Sequence, residues 1–522
     1  MARGNTITGS TIWNLDSSGI SGVFAKHIDR LGEAVSHGDY NDDGIQDLAI
    51  GIPNYDSFFS GVSFTNSGTV LIIYGSPNGL SSANHQFLYQ TLETGSPFLE
   101  NLNGVEANDF FGKSLASGDF NCDGITDLAV GSPEESVTIN GEFRNAVGAV
   151  NIFYGQLGGF NFLSEGLTFL LQSTILSNIE ADDRFGWSMA VGNFNEDIVI
   201  LHECQDLAVS APFEGFSLIT NNAGSVAVFY GEASGLSHLN KDVLAQVDLN
   251  ISGEAQSGDQ FGYSLAAGNF SQNLASSQFS ALVVGVPGED VNNKVNAGAV
   301  QVFQGSADGL KANVDDFFWS QAGAVSGGVE ANDRFGTSLT VGDFNQDQIE
   351  DLVIGVPHED LNVTGINDAG AVVIIYGSIT GLSSSGSQSF HQDSLNIAGE
   401  PENSGRFGDF ITIGDLNGDS IDDLVIGVPR ENNSKGAFHI LFGSPGGLIT
   451  VDSIFEKNLG DGEALDEMGY AMTIANFGNG NELVVGISGD DSVSGFNDAG
   501  SVEVFEFPQP LPDLIFAGSF EG

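Results

Sequence analysis

Arg334-Phe335-Gly336-Thr337-Ser338-Leu339-Thr340-Val341-Gly342-Asp343-Phe344-Asn345-Gln346-Asp347-Gln348-Ile349-Glu350-Asp351-Leu352-Val353-Ile354-Gly355-Val356-Pro357 is the stretch on which the reading of this chain turns. Residues 334–344 alternate apolar and polar side chains with the period of a strand. An Asp- and Asn-rich turn follows, and residues 351–357 form a second, nearly all-apolar strand. Beyond a polar loop ending in Asp368-Ala369-Gly370, residues 371–377 read as a third strand. A GSxxGL turn then leads to a weaker fourth strand, expected near Ser389 to Leu395. Four consecutive strands with tight turns describe one antiparallel sheet.

The unit recurs seven times, with FG-like pairs near positions 31, 111, 185, 261, 335, 407 and 468. Their glycines are Gly32, Gly112, Gly186, Gly262, Gly336, Gly408 and Gly469, spaced by 80, 74, 76, 74, 72 and 61 residues. Self-similarity at this period, four strands per unit and no helical periodicity point to an all-β fold, a seven-bladed β-propeller of four-stranded antiparallel blades. The first two strands of each unit are the most apolar, so they are expected innermost, and the mixed fourth strand at the outer edge. The seventh unit supplies three strands, the last at residues 501–507, before Pro508, Pro510 and Pro512 block a fourth. An unmatched strand, Thr11 to Leu15, precedes the first FG-like pair. It is expected to complete the last blade and close the ring, which removes an exposed sheet edge. The expected division is a propeller over 1–507 and a Pro-rich tail over 508–522.

The turn between the first and second strands carries the chemistry. Numbering it from its first Asp, oxygen-bearing side chains fall at positions 1, 3, 5 and 9. They are Asp39, Asn41, Asp43 and Asp47; Asp119, Asn121, Asp123 and Asp127; Asp343, Asn345, Asp347 and Asp351; Asp415, Asn417, Asp419 and Asp423. Position 7 is Ile45, Ile125, Ile349 or Ile421, suited to offering its backbone carbonyl while the side chain turns inward. Five or more hard oxygens in a tight loop are what Ca²⁺ takes. An EF-hand would need Glu at position 12, where Ile50, Val130, Ile354 and Ile426 stand instead. The competing reading is an Asx-rich turn without metal. About four calcium sites are expected, in blades one, two, five and six. Gln348 and Ser420 replace the position-6 glycine and would be strained if that position needs a positive φ. Blade three keeps Asn193, Asn195 and Asp197 and inserts residues before Asp206, an incomplete version. No metal is expected in blade four, which has Asn269-Phe270-Ser271, or in blade seven, which has a shortened Asn476 to Gly480 turn.

Composition narrows the function. Lys and Arg total 14 against 69 Asp and Glu, a formal charge of −55. Such a chain repels nucleic acid and anionic membrane surfaces and attracts cations. No apolar run is long enough for a membrane helix, so no membrane insertion is expected. The opening residues MARGNTITGSTIWNLD show no charged start followed by an apolar run, so no signal peptide is expected there.

The FG start, the DxNxDGxxD loop and the GxP that follows (Gly51-Ile52-Pro53, Gly131-Ser132-Pro133, Gly355-Val356-Pro357, Gly427-Val428-Pro429) resemble the FG-GAP repeats of the integrin α-subunit propeller. Trp13-Asn14-Leu15-Asp16 also resembles the start of that domain. The resemblance implies calcium in the matching loops, on the lower face of the propeller. The chain reads as a stand-alone, bacterial, integrin-like propeller.

Cys122 and Cys204 lie in equivalent turns of adjacent blades, either bridged or as two thiols. A bridge would imply an oxidising compartment. The strand order sends the turns after strands one and three to one face and those after strands two and four to the other. That second face carries the longer loops 54–67, 134–147 and 213–223, where recognition is expected. Phe58, Phe59, Phe64, Phe143 and Phe216 lie in them, either as contact residues or packed on their own blades. Glu134-Glu135, Glu289-Asp290, Glu359-Asp360 and Asp490-Asp491 either cap loops or form an acidic ring for a cationic partner.

No GxSxG, HExxH or P-loop occurs. The expectation is a non-catalytic, calcium-binding module at the cell surface or secreted, taking a protein or glycan ligand in the manner of cell adhesion. Two alternatives stand beside it. One is a calcium-dependent carbohydrate-active enzyme, a polysaccharide lyase or hydrolase on a propeller scaffold. The other is a structural component of a surface assembly.

Overall fold

The computed structural model describes residues 7–507 except 23–24, 60, 91–104, 140–141, 162–167, 172–179, 196–197, 200–201, 217–220, 237–240, 249–250, 252, 272–278, 311–316, 325–327, 362–364, 458–464 and 492–496. The expected tail, 508–522, lies outside the described residues. Seven four-stranded antiparallel sheets follow one another along the chain, a seven-bladed β-propeller.

In blade five the strands are Leu339–Gly342, Asp351–Val356, Ala371–Tyr376 and Ser383–Phe390, hydrogen-bonded in sequence order. The fourth begins six residues earlier than Ser389, the expected start, and ends at Phe390. A polar Ser/Gln run is tolerated there because an outer strand pairs on one side only and keeps solvent on the other. In the last blade, Gly9–Trp13 pairs antiparallel with Ser501–Glu506, placing Gly9 opposite Glu506 and Trp13 opposite Val502. The ring thus closes through strands contributed by the two ends of the described chain.

One expectation needs correcting. The first strand is innermost, touching the first strands of the neighbouring blades, as Ala34–Gly38 touches Ser114–Gly118. It is not the most buried, however. Ala34–Gly38 is largely half-buried, whereas Asp47–Ile52 and Thr69–Tyr74 are buried at every residue. The innermost strand faces the axial channel, so the fully apolar strands are the second and third, covered on both faces by adjacent blades.

The core is accordingly divided into layers between blades. One cluster joins Leu48, Ile50 and Leu71 of blade one to Val484 and Val504 of blade seven. Others join blades one and two through Tyr40, Ile72, Phe111 and Phe153, and blades five and six through Phe344, Ile374, Phe407 and Leu441.

The FG and GxP motifs meet at these joints. The FG glycines all have φ between +87° and +91°. A Cβ on the first glycine of each GxP would lie against the carbonyl oxygen of the next blade's FG glycine. The distance would be 2.1 Å for Gly51 on Gly112, 2.2 Å for Gly355 on Gly408 and 2.3 Å for Gly427 on Gly469; Gly486, in a Gly-Ile-Ser sequence, would meet Gly32 in the same way at 2.1 Å. Two backbones therefore touch where only glycine leaves room. At the joint between blades three and four, Ser210 replaces the glycine, and a Cβ on Gly262 would come within 2.9 Å of the Ser210 Cβ.

Cys122 and Cys204 are disulfide-bonded, with Cα atoms 4.7 Å apart, and so tie the turns of blades two and three. Among the described residues no helix is long and apolar enough to cross a membrane.

Two outcomes follow for stability. Gly355→Ala should cost about 2–3 kcal/mol, because its Cβ meets backbone that cannot yield. Gly61→Ala, at φ +87° but with nothing within 4 Å, should cost only about 1 kcal/mol. Urea unfolding of the two variants measures the contrast. Replacing both cysteines by serine should lower stability by about 2–4 kcal/mol in the same assay.

Candidate metal centres

Each complete loop is built around three aspartates with separate hydrogen-bonding tasks. The position-1 carboxylate accepts N–H groups from positions 5 and 6: Asp39 from Asp43 at 3.1 Å and Gly44 at 2.8 Å, Asp343 from Asp347 at 3.2 Å and Gln348 at 2.8 Å. The position-5 carboxylate accepts the position-7 N–H, as Asp43 does from Ile45 at 3.0 Å and Asp419 from Ile421 at 3.0 Å. The position-9 carboxylate reaches back to position 2 and across to the glycine after strand three. Asp47 accepts from Tyr40 and Gly75, both at 2.9 Å, and Asp127 from Phe120 at 2.8 Å and Gly155 at 2.9 Å. Asp351 and Asp423 repeat the pattern.

The backbone explains the turn residues. Position 6 has φ +83° in Gly44 and +89° in Gly124, and Gln348 and Ser420 are both held at +67°. The left-handed conformation is required there, so blades five and six carry backbone strain that blades one and two avoid. The position-7 isoleucine packs inward, since a Cβ on Gly75 would meet Ile45 Cγ2 at 2.6 Å. Its carbonyl is thereby left at the loop.

Burial makes the loops costly without a counter-charge. Asp47 and Asp351 are pushed up to about 7, and Asp127 and Asp423 to about 8. Desolvation is the largest cause; the other two loop aspartates add to it, and the two backbone N–H donors offset part. In blades one and two no loop carboxylate meets Lys or Arg among the described residues. The Asn41 side-chain carbonyl is buried with no hydrogen-bond partner. A hard cation would answer both the charge and that orphaned oxygen. Among the described residues no three His, Cys, Asp or Glu side chains by themselves form a cage, so Asn and backbone oxygens would have to complete one.

Blade three keeps part of this arrangement. Asp206, despite the insertion, accepts from Phe194 at 2.7 Å and Gly231 at 2.9 Å, the position-9 role. Asn193 and Asn195 both leave buried side-chain carbonyls without partners. Asp197 lies outside the described residues. In blade seven, Asn476 Oδ1 accepts from Gly478 at 2.9 Å and Gly480 at 3.2 Å, an Asx turn with no acidic side chain in it.

On the second face the paired acids cap and brace loops. Glu134 pairs with Arg184 at 2.9 Å. Asp290 accepts from Asn296 N–H at 2.9 Å, Asp360 from Asp368 N–H at 2.8 Å and Asp491 from Asp498 N–H at 2.6 Å. Their neighbours turn inward. Glu135, Glu289 and Glu359 each accept an amide N–H from the end of the preceding blade's outer strand, from Gln90, Gln246 and Gln321 at 2.6, 2.8 and 2.6 Å. These glutamines were not singled out in the sequence, although they recur at the same place in successive repeats. Glu135 also faces Asp109, the acid just before an FG pair; burial pushes Asp109 up to about 7 and Glu135 well above the usual carboxylate range. Two hairpins stand out from the same face, Ser57–Phe59 with Val62–Phe64 and Val137–Ile139 with Glu142–Arg144. Phe58 and Phe143 at equivalent places are 69% and 67% exposed, while Phe64 and Phe216 are half-buried. The Phe59 side chain lies outside the described residues.

The buried acid pair sets a pH dependence. Unfolded, both carboxyls release their protons near pH 4. Folded, Asp109 holds its proton to about 7 and Glu135 holds its own well above the usual carboxylate range, so the native state binds more protons and stability falls as pH rises above about 4. In chelator, the urea midpoint should drop from about pH 5 to about pH 8, and Glu135→Gln should flatten part of that drop. An unchanged slope in the variant would assign the titration elsewhere.

A family model described as FG-GAP repeat matches residues 31–73, 111–150, 335–375 and 407–441, the four blades with complete loops. The human phosphatidylinositol-glycan-specific phospholipase D is 27% identical over 439 residues, 83% of this chain and 46% of that protein. Human integrin alpha-8 is 27% identical over 218 residues, 42% of this chain and 16% of that protein. Mouse integrin alpha-3 is 32% identical over 167 residues, 32% of this chain and 13% of that protein. The chain thus spans about half the length of the phospholipase and a smaller share of the integrins. The chain is thus a seven-bladed β-propeller in which four blades, each with an FG turn, a GxP joint and an Asp-rich loop placed alike, match the FG-GAP repeat.

Proposed function

We propose that this propeller is a calcium-stabilised binding module that works outside the cytoplasm, gripping a protein or glycan ligand on the face opposite its Asp-rich loops. The observation that carries the calcium reading is the Asp47 loop. It holds three carboxylates, one of them buried and pushed up to about 7, beside an unpartnered Asn41 carbonyl. Asp39, Asn41, Asp43, the Ile45 carbonyl and Asp47 would hold the ion, with the corresponding residues of blades two, five and six. Bound there, Ca²⁺ supplies the positive charge the loops lack. Modules of this kind bind at about 10⁻⁴ to 10⁻³ M, a concentration met outside cells. The Cys122–Cys204 bridge favours the same location. At about ten times its dissociation constant each ion would add about 1.4 kcal/mol to folding stability.

The reading of the second face rests on Phe58 and Phe143, large apolar side chains held out in solvent on paired hairpins. Singly exposed apolar residues are ordinary, but the repetition at equivalent tips is the arrangement of a contact surface. The integrin relatives match this chain within 167 to 218 residues, and adhesion by this chain is an inference from that likeness.

Calorimetric titration with calcium should give about four ions per chain, and chelator should lower the melting temperature. Asp43→Asn retains an acceptor for the Ile45 N–H and removes one ligand charge. It should leave the chelated protein's melting temperature unchanged and weaken one site by about tenfold or more. No uptake of calcium, or equal melting with and without chelator, would end the proposal. Ligand screening over protein and glycan panels at millimolar calcium, with Phe58→Ala and Phe143→Ala alongside, tests the second face.

A further inference from the structure

Six of the chain's 14 basic residues lie at the second-face ends of the blades: Lys113 lines the axial channel, and five arginines stand behind its lining, Arg30 beside Glu467, Arg184 beside Trp187 and Arg334, Arg406 and Arg430 beside Asp409. Arg30, Arg184, Arg334 and Arg406 each stand just before an FG-like pair, at φ 58°, 57°, 56° and 62°. Lys113 follows the Gly112 turn, and Arg430 follows Pro429. A chain with formal charge −55 has therefore gathered a large share of its cations at one spot. They come from blades one, two, three, five and six, so closing the ring is what brings them together.

A cavity of about 380 Å³ opens at that spot, lined by the residues that follow the FG glycines, among them Glu33, Lys113, Trp187, Tyr263, Asp409 and Tyr470. Its size is at the small end of ligand pockets. Two aromatic pairs form its walls. Trp187 and Tyr263 have centroids 5.6 Å apart, and Phe410 and Tyr470 are 4.3 Å apart. Ser188, Ser264 and Ser338 add hydroxyl groups. The charge is uneven. On the blade-one side Arg30 and Lys113 are matched by Glu33 and Glu467. On the other side Arg334, Arg406 and Arg430 gather around Asp409, with Asp368 also facing Arg406. Arg406 reaches Asp409 only at 3.9 Å, and its Nε is buried without a hydrogen-bond partner. Among the described residues Arg334 and Arg430 form no ion pair.

We propose that this axial pocket binds an acidic saccharide, its hexuronate ring packed on the aromatic walls and its carboxylate met by Arg334 and Arg406. The inference rests on the reading of the second face as the ligand face. A guanidinium fork matches a carboxylate in plane and in charge. Flat aromatic faces suit the C–H side of a pyranose, and serine hydroxyls suit its ring oxygens. An acidic peptide would use the arginines, but a small pocket with aromatic walls offers it no strand edge or extended groove.

The test is titration calorimetry of the full chain at millimolar calcium with three probes: a tetragalacturonate, a neutral galactose tetrasaccharide and a polyglutamate peptide. The tetragalacturonate should bind, more weakly as salt rises. Arg334→Ala and Arg406→Ala should each weaken it about tenfold or more. Arg144→Ala, on a hairpin away from the axis, should not. Melting curves check that each variant folds, and Arg406→Lys replaces Arg406→Ala if it does not. Binding of tetragalacturonate that is insensitive to both arginines but lost in Phe58→Ala or Phe143→Ala overturns the axial site and leaves the second-face reading standing. Insensitivity to all of these variants overturns both. Failure of the tetragalacturonate to bind, or preference for the neutral sugar or the peptide, overturns the ligand class.

Discussion

The architecture depends on a contact between glycines of neighbouring blades. The GxP glycine ends one blade's second strand, and the FG glycine of the next blade lays its carbonyl where a side chain would otherwise begin. That approach lets the all-apolar second and third strands of adjacent blades pack face to face, since a single methyl group at the joint would hold them apart. The FG aromatic fills the space beside it: Phe111, Phe185, Phe335 and Phe407 are at most 1% exposed. The backbone of each also bridges to the glycine that precedes the third strand of the blade before, as Phe111 does to Gly68. The two motifs are thus the two halves of one joint.

The same joints are stitched on the opposite face through the Asp-rich loops. The N–H at position 8 of one loop donates to the carbonyl at position 1 of the preceding blade's loop. Thr126 donates to Asp39 at 3.2 Å, Gln205 to Asp119 at 2.9 Å and Asp422 to Asp343 at 3.2 Å. The Asp343 N–H is also held by the Asp422 carboxylate at 2.9 Å. Whatever orders a loop therefore orders a joint, which is how a metal at the rim would act on the whole ring. The disulfide between Cys122 and Cys204 braces a joint whose second loop is interrupted by an insertion.

Most of this was legible because the period is long and each motif does a local task. Glycine at a joint, Asp at a turn and β-branched residues in covered strands leave direct traces, so blade number, ring closure and loop positions could be read. Closure was displaced by two residues, Gly9–Trp13 in place of Thr11 to Leu15. Strand ends depend on cross-strand pairing that the sequence does not display. Two features were hidden for a different reason. The half-burial of Ala34–Gly38 and its counterparts reflects an axial channel, which exists only when all blades are present. The arginines before the FG turns lie one or two blades apart in sequence and become neighbours only around the axis. Of the two readings of the paired acids, loop capping is the one seen: Asp290, Asp360 and Asp491 accept backbone N–H groups, while Glu135, Glu289 and Glu359 turn inward to glutamines.

The central claim is that four loops close around calcium and brace the ring from one face. Amide hydrogen exchange with and without calcium tests it most directly. Residues 39–47, 119–127, 343–351 and 415–423 should gain protection on adding the ion, while the turns at 269–271 and 476–480 should not change. Equal exchange in all of these loops, or protection spread uniformly over the blades, would contradict it.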